Sequence, residues 1–275
     1  MDLTAAFIGS GNMGGAIIRA AARAVEPRKI IITDSQPEKA EALAGEVGCL
    51  WSPDNLEAAR RAKFVLLCVK PQVLPEVLAP LVPILRAAGE SGERKVLVSI
   101  AAGITIARLR SIVGSEAQPI VRVMPNTPAL IGKGLMILTS DGSASEEELR
   151  ELEEMVRACG RVTRLEESLF DQATVVASCS PAYAYMFIEA LAKAGEIFGL
   201  EHETALSYAA QAMLGAAAMV LETGKSPGEL CSMVCSPGGS TIAGVEVLRE
   251  KGLYELIYKA ANASYKRNIE LGKLS

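Results

Sequence analysis

The segment Gly9-Ser10-Gly11-Asn12-Met13-Gly14 constrains this chain most, because of what flanks it. Ala5-Ala6-Phe7-Ile8 reads as a short buried strand. After the glycines, Ala16, Ile17, Ala20 and Ala21 recur at helical spacing. G-x-G-x-x-G set between a strand and a helix is the context in which the motif carries meaning. Its first glycine permits a tight turn, its second lets the backbone approach a pyrophosphate, and its third lets helix and strand pack closely. A second strand, Ile30-Ile31-Ile32-Thr33, ends at Asp34, where a carboxylate suits the hydroxyls of an adenosine ribose. Ser35 and Gln36 follow, and they suit a 2′-phosphate if Asp34 turns away. The pattern predicts a strand–helix–strand unit that binds a dinucleotide.

Strand and helix continue to alternate. Phe64–Val69, Val96–Ile100, Ile120–Met124, Leu135–Leu138 and Arg161–Arg164 read as strands, with helices over Gly11–Ala24, Glu38–Val47, Val73–Ala88 and Glu146–Cys159. Ser145 and Glu148 make a capping box for the last. Several strands are unbroken apolar runs, as required when helices cover both faces. The expected architecture is a doubly wound, mainly parallel sheet over residues 1–165. Beyond Leu165 the strand signals stop, and 166–275 reads as an all-helical domain. Tyr208 to Leu221 is apolar on nearly every side and rich in alanine. Such a helix must be buried all round, and in a domain this small the expected cover is a second subunit.

Three further loops fall where strands end, the edge at which doubly wound sheets bind ligands. They are Val69-Lys70-Pro71, Ala101-Ala102-Gly103 and Pro125-Asn126-Thr127-Pro128. Small residues and prolines there suit a rigid wall along an extended cofactor. Lys70 is either near a ribose or phosphate or a solvated loop lysine. Asn126 either holds a ligand or is a plain turn residue. Near the other end stands Cys235-Ser236-Pro237-Gly238-Gly239-Ser240-Thr241-Ile242. Ser before Pro predicts a helix start with Ser236 as cap. The glycines and hydroxyls that follow leave backbone N–H groups open to a carboxylate or phosphate. The competing reading is a Gly-rich helix entry packed against a neighbour.

The net charge of -4 and the lack of a Lys/Arg cluster argue against a nucleic-acid binder. No apolar run reaches the roughly 18 residues that span a bilayer. The start of the chain lacks a signal pattern, so the expected place is the cytoplasm. Half the residues are hydrophobic but only 4% aromatic, so Ala, Val, Leu and Ile must build the cores. Six cysteines and one histidine lack zinc-site spacing, which predicts reduced thiols and no metal. His202 lies in a polar break between helices. No residue stands out as a strong acid or base, which suits a substrate that arrives protonated and needs only alignment.

Taken together, these segments resemble the pyrroline-5-carboxylate reductase family over essentially the whole chain. The marks are Ile8 to Met13, Val69-Lys70-Pro71, Ala101-Ala102-Gly103, Met124 to Pro128, Pro181-Ala182-Tyr183, and above all Val234 to Gly239 with Thr241-Ile242. The resemblance implies a Rossmann-type domain and a helical domain that interleaves with its twin in a homodimer, often within a larger ring. It implies hydride transfer from NADPH or NADH to the C=N carbon of a cyclic imino acid, 1-pyrroline-5-carboxylate, giving L-proline in the last step of its biosynthesis. On that reading the cofactor lies along Gly9, Ser10, Gly11, Asn12, Met13, Gly14, Asp34, Ser35, Val69, Lys70, Pro71, Ala101, Ala102, Gly103 and Asn126. The substrate carboxylate meets Ser236, Gly238, Gly239 and Ser240, and the Thr241 hydroxyl reaches the ring nitrogen as the catalytic group.

The chain departs from the family at three places. Ala177-Ser178-Cys179 replaces a Ser-Gly-Ser run, and Cys231-Ser232 replaces a charged pair. Asp34 stands where NADPH-preferring members carry neutral or basic residues, which makes NADH competitive. Two other readings remain: a β-hydroxyacid dehydrogenase-like enzyme using Lys193, and a non-catalytic paralogue acting as a binding protein.

Overall fold

The computed structural model describes residues 2–274. They form two compact units, residues up to 179 together with those from 264 onward, and residues 180–263. In the first unit β1 (Leu3–Ile8) leads into α1 (Asn12–Ala24) and β2 (Ile30–Thr33) into α2 (Pro37–Val47). The alternation continues through β3 (Leu50–Trp51), α3 (Asn55–Arg61), β4 (Ala62–Leu67), α4 (Leu74–Leu78), α5 (Val82–Glu90), β5 (Val96–Ser99), α6 (Ile106–Val113) and β6 (Ile120–Met124). Then come β7 (Gly134–Ser140), α7 (Glu146–Val156), β8 (Gly160–Arg164) and α8 (Phe170–Thr174).

The eight strands form one sheet in the order β3-β2-β1-β4-β5-β6-β7-β8. All neighbours run parallel except β6 and β7. Residues 125–133 between those two are too few for a parallel crossover, which needs a dozen or more. The central strands bury both faces, residue by residue. Ala5, Phe7, Phe64 and Leu66 pack with residues of α1, α2 and α7, whereas Ile8, Val65 and Leu67 pack with α4, α5 and α6. That two-sided burial is why β1 and β4 carry no polar alternation.

Several elements differ from the sequence expectation, which named neither α3 nor α6. The helix over Val73–Ala88 is broken into α4 and α5 around a 3-10 turn at Ala79–Leu81. Pro75, Pro80 and Pro83 each lack the N–H that a continuous helix needs. β3 has only two residues, too short to leave a periodic signal.

The second unit holds α9 (Ser180–Ile197), α10 (His202–Thr223), α11 (Pro227–Val234) and α12 (Ser240–Glu250). α13 (Leu253–Leu274) starts in this unit and its last turns belong to the first. α9 and α10 pack through Ala192, Ala205 and Ala209. The compact units divide at Cys179, beyond the functional division expected at 165/166. Phe170 is buried with Met124 and Ile137, and Asn268 donates to Asp171 at 2.8 Å. These contacts bind residues 166–179 and the chain's last turns to the sheet-bearing unit.

Candidate active site

The strand order reverses at β1 and β4, and the Gly-rich loop lies at their carboxyl ends. Gly9 has φ +105°, and a Cβ there would come within 2.6 Å of the Cys68 carbonyl oxygen. A Cβ at Gly14 would strike the Gly9 carbonyl oxygen and come within 3.0 Å of Cys68 Cβ. The first and third glycines are therefore fixed by the protein's own packing. Gly11 is different, because a Cβ there would meet nothing within 4 Å. Gly11 is also the N-cap of α1 and no side chain caps that end. The first N–H groups of α1 thus face open space at the positive end of the helix dipole, the arrangement that holds a pyrophosphate. Cys68, which forms the floor of this cradle, was missed by sequence reasoning; its signal was its place just after β4.

Asp34 is anchored to the same loop. Its Oδ2 accepts from Ser10 N at 2.7 Å and Ser10 Oγ at 2.8 Å, and its Oδ1 accepts from Gln36 N at 3.0 Å and from Ser35 Oγ at 3.4 Å. Burial alone would push this carboxyl up. The donors from Gln36 and Ser10, with the charge of Lys39, outweigh it and hold the group below its ordinary value. Asp34 is therefore a fixed anion at neutral pH, tied to Ser10.

The other residues expected to wall the cofactor follow the ends of β4, β5 and β6. Val69 is half-buried, Lys70 is exposed, and Pro71 opens a 3-10 turn, Pro71–Val73. Ala101 is buried and Ala102 half-buried. Gly103 meets the end of α13, where a Cβ would lie 3.0 Å from Gly272 N. Asn126 has most of its amide engaged: Nδ2 donates to Ala177 O at 2.9 Å and Oδ1 accepts from Leu135 N at 2.9 Å. Ala177 lies in a π-helical turn, Val175–Cys179, and Ser178 Oγ donates to Pro125 O at 3.0 Å. Two residues of the departing run Ala177-Ser178-Cys179 are thus bonded to the Pro125–Asn126 loop.

In the second unit the segment Ser236–Thr241 forms a turn and a helix start, but the start is later than expected. Gly239, and not Ser236, is the N-cap of α12. Gly238 has φ +70°, and Gly239 N–H donates to Ser236 O at 3.0 Å. The turn bends the chain before the helix begins, so Pro237 precedes α12. A Cβ on Gly239 would come within 2.5 Å of Ser236 Oγ. The Gly239 N–H is spent on that turn, so the open donors are those of Ser240, Thr241 and Ile242 in the first turn of α12. Ser236 and Thr241 are exposed beside them. No acid or base accompanies them in this segment. His202 opens α10 and its Nδ1 lies 2.8 Å from Glu196 Oε1. Among the described residues no cluster of three or more metal-ligating side chains occurs.

Comparison with known proteins finds a family model over each of these two regions. A family model described as pyrroline-5-carboxylate reductase dimerisation matches residues 167–271, and one described as NADP oxidoreductase, coenzyme F420-dependent, matches residues 4–103. The chain is 39% identical to the pyrroline-5-carboxylate reductase of Corynebacterium melassecola, covering 98% of this chain and 99% of that protein. It is 36% identical to the enzyme of that name from Escherichia coli strain K12 over 99% and 100% of the two chains. The chain belongs to the pyrroline-5-carboxylate reductase family. Among solved structures, the family member from Coxiella burnetii superposes with a TM-score of 0.88 at 33% identity, covering 98% of this chain and 99% of that one. The Plasmodium falciparum reductase, with NADP bound, gives 0.87 at 29% identity over 98% of each chain. A 3-hydroxyisobutyrate dehydrogenase from Mycobacterium tuberculosis, at 15% identity, covers 82% of this chain and 72% of its own with a TM-score of 0.52, a likeness of fold alone.

The second unit of this family member exposes an unusual amount of apolar surface. Tyr185, Phe187, Leu191, Leu214, Met219 and Leu221 on α9 and α10 are exposed, and of α10 only Ala205 and Ala209 are buried. Contrary to the sequence reading, residues 167–197 and 202–223 are each long and apolar enough to cross a membrane by length and composition. Lys193 is exposed and paired with Glu189 at 2.7 Å, which does not fit the dehydrogenase reading.

Proposed function

We infer that this chain reduces 1-pyrroline-5-carboxylate to L-proline with NADPH or NADH, the final step of proline biosynthesis. The reading is supported by two features, each within its own unit: the open cradle at Gly11 and the uncapped start of α12 after Ser236. When bound, the reduced nicotinamide supplies a hydride to the C=N carbon. The first turn of α1 and Ser10 hold the pyrophosphate, and Asp34 accepts from the adenosine ribose. Val69 to Pro71, Ala101 to Gly103 and Asn126 wall the nicotinamide end. At α12 the N–H groups of Ser240 and Thr241, with Ser236 and the turn at Gly238-Gly239, take the substrate carboxylate. The Thr241 hydroxyl accepts from the N–H of the iminium and donates to the nitrogen lone pair once hydride addition has made it an amine. The ring nitrogen arrives protonated, so no general acid is required. Rate enhancement on this scheme comes mainly from holding the two reactants in line.

Residues 166–275 serve as the dimerisation and substrate domain, and a second copy of the chain covers the apolar faces of α9 and α10. The enzyme works in the cytoplasm without a membrane, nucleic acid or metal partner. The test is steady-state oxidation of NADH and of NADPH with pyrroline-5-carboxylate as substrate, alongside sedimentation of the purified protein without detergent. Substrate-dependent oxidation by a dimer or larger assembly is the expected result. Cofactor binding without any turnover would favour the non-catalytic paralogue, and a stable monomer would overturn the dimer.

A further inference from the structure

The turn that precedes α12 begins at Cys235, and Cys235 is in contact with a second thiol. Its Sγ lies 3.9 Å from that of Cys231, one helical turn earlier on α11. Both side chains are half-buried, and both are free thiols. Cys231 is one of the positions at which this chain departs from its family, where a charged residue is usual.

We propose that Cys231 and Cys235 form a reversible disulfide that distorts the Ser236–Thr241 cradle and weakens its hold on a carboxylate ligand. The effect on the reaction rests on the function proposed above, but the chemistry of the pair does not.

Residues one turn apart on a helix have Cβ atoms about 5–6 Å apart, and a disulfide needs about 3.5–4.5 Å. The backbone must therefore move by about an ångström or more. Cys235 is where it yields. It stands outside α11 with φ −105° and ψ 85°, and its N–H makes only a 3.3 Å bond back to Ser232 O. The next residue is Ser236, whose carbonyl accepts from Gly239 N–H and whose Oγ fills the space beside Gly239. Pulling Cys235 towards α11 pulls Ser236 with it and opens that turn. The other sulfurs are poorer candidates. Burial raises the thiols of Cys49, Cys68 and Cys159, and burial together with the Cys231 sulfur raises that of Cys235, so the 3.9 Å sulfur contact, and not acidity, is what singles out this pair.

The oxidant is a low-molecular-weight disulfide. The Cys231 thiolate attacks one of its sulfurs and expels a thiolate, which takes up a proton. Cys235 then attacks the mixed disulfide at Cys231, and the second small thiol leaves. Two electrons pass from the protein pair to the oxidant, and the two protons end on the released thiols.

The test treats the full-length protein with oxidised glutathione, maps its peptides by mass, and measures L-proline binding by calorimetry and cofactor binding by fluorescence. The expected product lacks two hydrogens in the peptide joining Cys231 to Cys235. Its L-proline affinity falls about tenfold, its cofactor affinity is unchanged, and dithiothreitol restores it. Cys231→Ser keeps its L-proline affinity through the same treatment. Glutathione adducts without an internal bond, a bond that leaves L-proline affinity unchanged, or equal loss in Cys231→Ser would each overturn the proposal. Failure of the reductase reading is separable, since it appears as absent turnover in the reduced protein.

Discussion

Gly11 and Gly14 occupy the same loop, yet alanine should act differently at the two. At Gly11 the backbone has φ −61° and ψ −176°, which alanine adopts without strain, and no atom lies within 4 Å of the new Cβ. Gly11→Ala should therefore leave the free protein's stability within about 0.5 kcal/mol of the parent. The space that the Cβ fills is the space into which the pyrophosphate must come. Overpacking of that kind costs about 1–3 kcal/mol, or roughly 5- to 150-fold in cofactor dissociation constant. At Gly14 the Cβ runs into the Gly9 carbonyl and Cys68. Gly14→Ala should then lose about 1–3 kcal/mol of stability before any ligand is added, about 2–4 °C of melting temperature per kcal/mol. Melting curves of the ligand-free proteins and fluorescence titration with NADH and NADPH separate the two effects. Unimpaired cofactor binding by Gly11→Ala would refute the reasoning, because the open side of the loop would then not face the cofactor.

Thr241→Ala should cut turnover with little change in cofactor affinity. Loss of one hydrogen bond to a charged group costs about 1.5–3 kcal/mol, so kcat/KM for pyrroline-5-carboxylate should fall by roughly 10- to 150-fold. An unchanged rate would remove Thr241 from the site. Asp34→Ser takes a fixed anion from beside the ribose, and like-charge repulsion of about 1–2 kcal/mol in partly solvated surroundings implies a shift of about tenfold in the ratio of kcat/KM towards NADPH. A ratio that does not move would mean that Asp34 serves only Ser10. Glu148 is held at about 2, against an ordinary 4.5, by its bond to Arg94 and by the Ser145 cap. A lowered carboxyl stabilises the fold above pH 4.5, and that contribution is lost as pH falls towards 2. With Arg94 half-exposed, about 1–2 kcal/mol is at stake. Glu148→Gln should melt lower at pH 7 and show a flatter decline between pH 4.5 and 2, checked by melting curves across that range.

The Gly-rich cradle was legible from its motif and the strand and helix that flank it, although the packing that fixes Gly9 comes from Cys68, far along the chain, and no protein atom demands Gly11. The sheet was legible from strands whose two-sided burial leaves apolar runs. The proline breaks between α4 and α5 were also written in the chain, but the apolar periodicity across them masked the missing N–H groups. Other features depend on residues far apart. Nothing local to Asn126 announces that its amide bridges Leu135 and Ala177, or that Ala177 lies in a π-turn. Nothing near Gly103 announces Gly272. The start of α12 was misread for a different reason: Ser-Pro fits a helix entry equally well as a turn, and the bond from Gly239 to Ser236 decides between them. The Ala-rich α10 was legible as a helix needing cover on all sides, because its composition leaves no polar face.

The central claim is that this chain passes a hydride to the imine carbon of pyrroline-5-carboxylate. Its most direct test is to supply NADH and NADPH deuterated in turn on each face of nicotinamide C4 and to examine the proline formed. One face of the cofactor should deliver one deuterium to the ring carbon that was double-bonded to nitrogen, raising the product's mass by about one unit. Proline without label from either face, or cofactor consumed with no proline formed, would contradict the account.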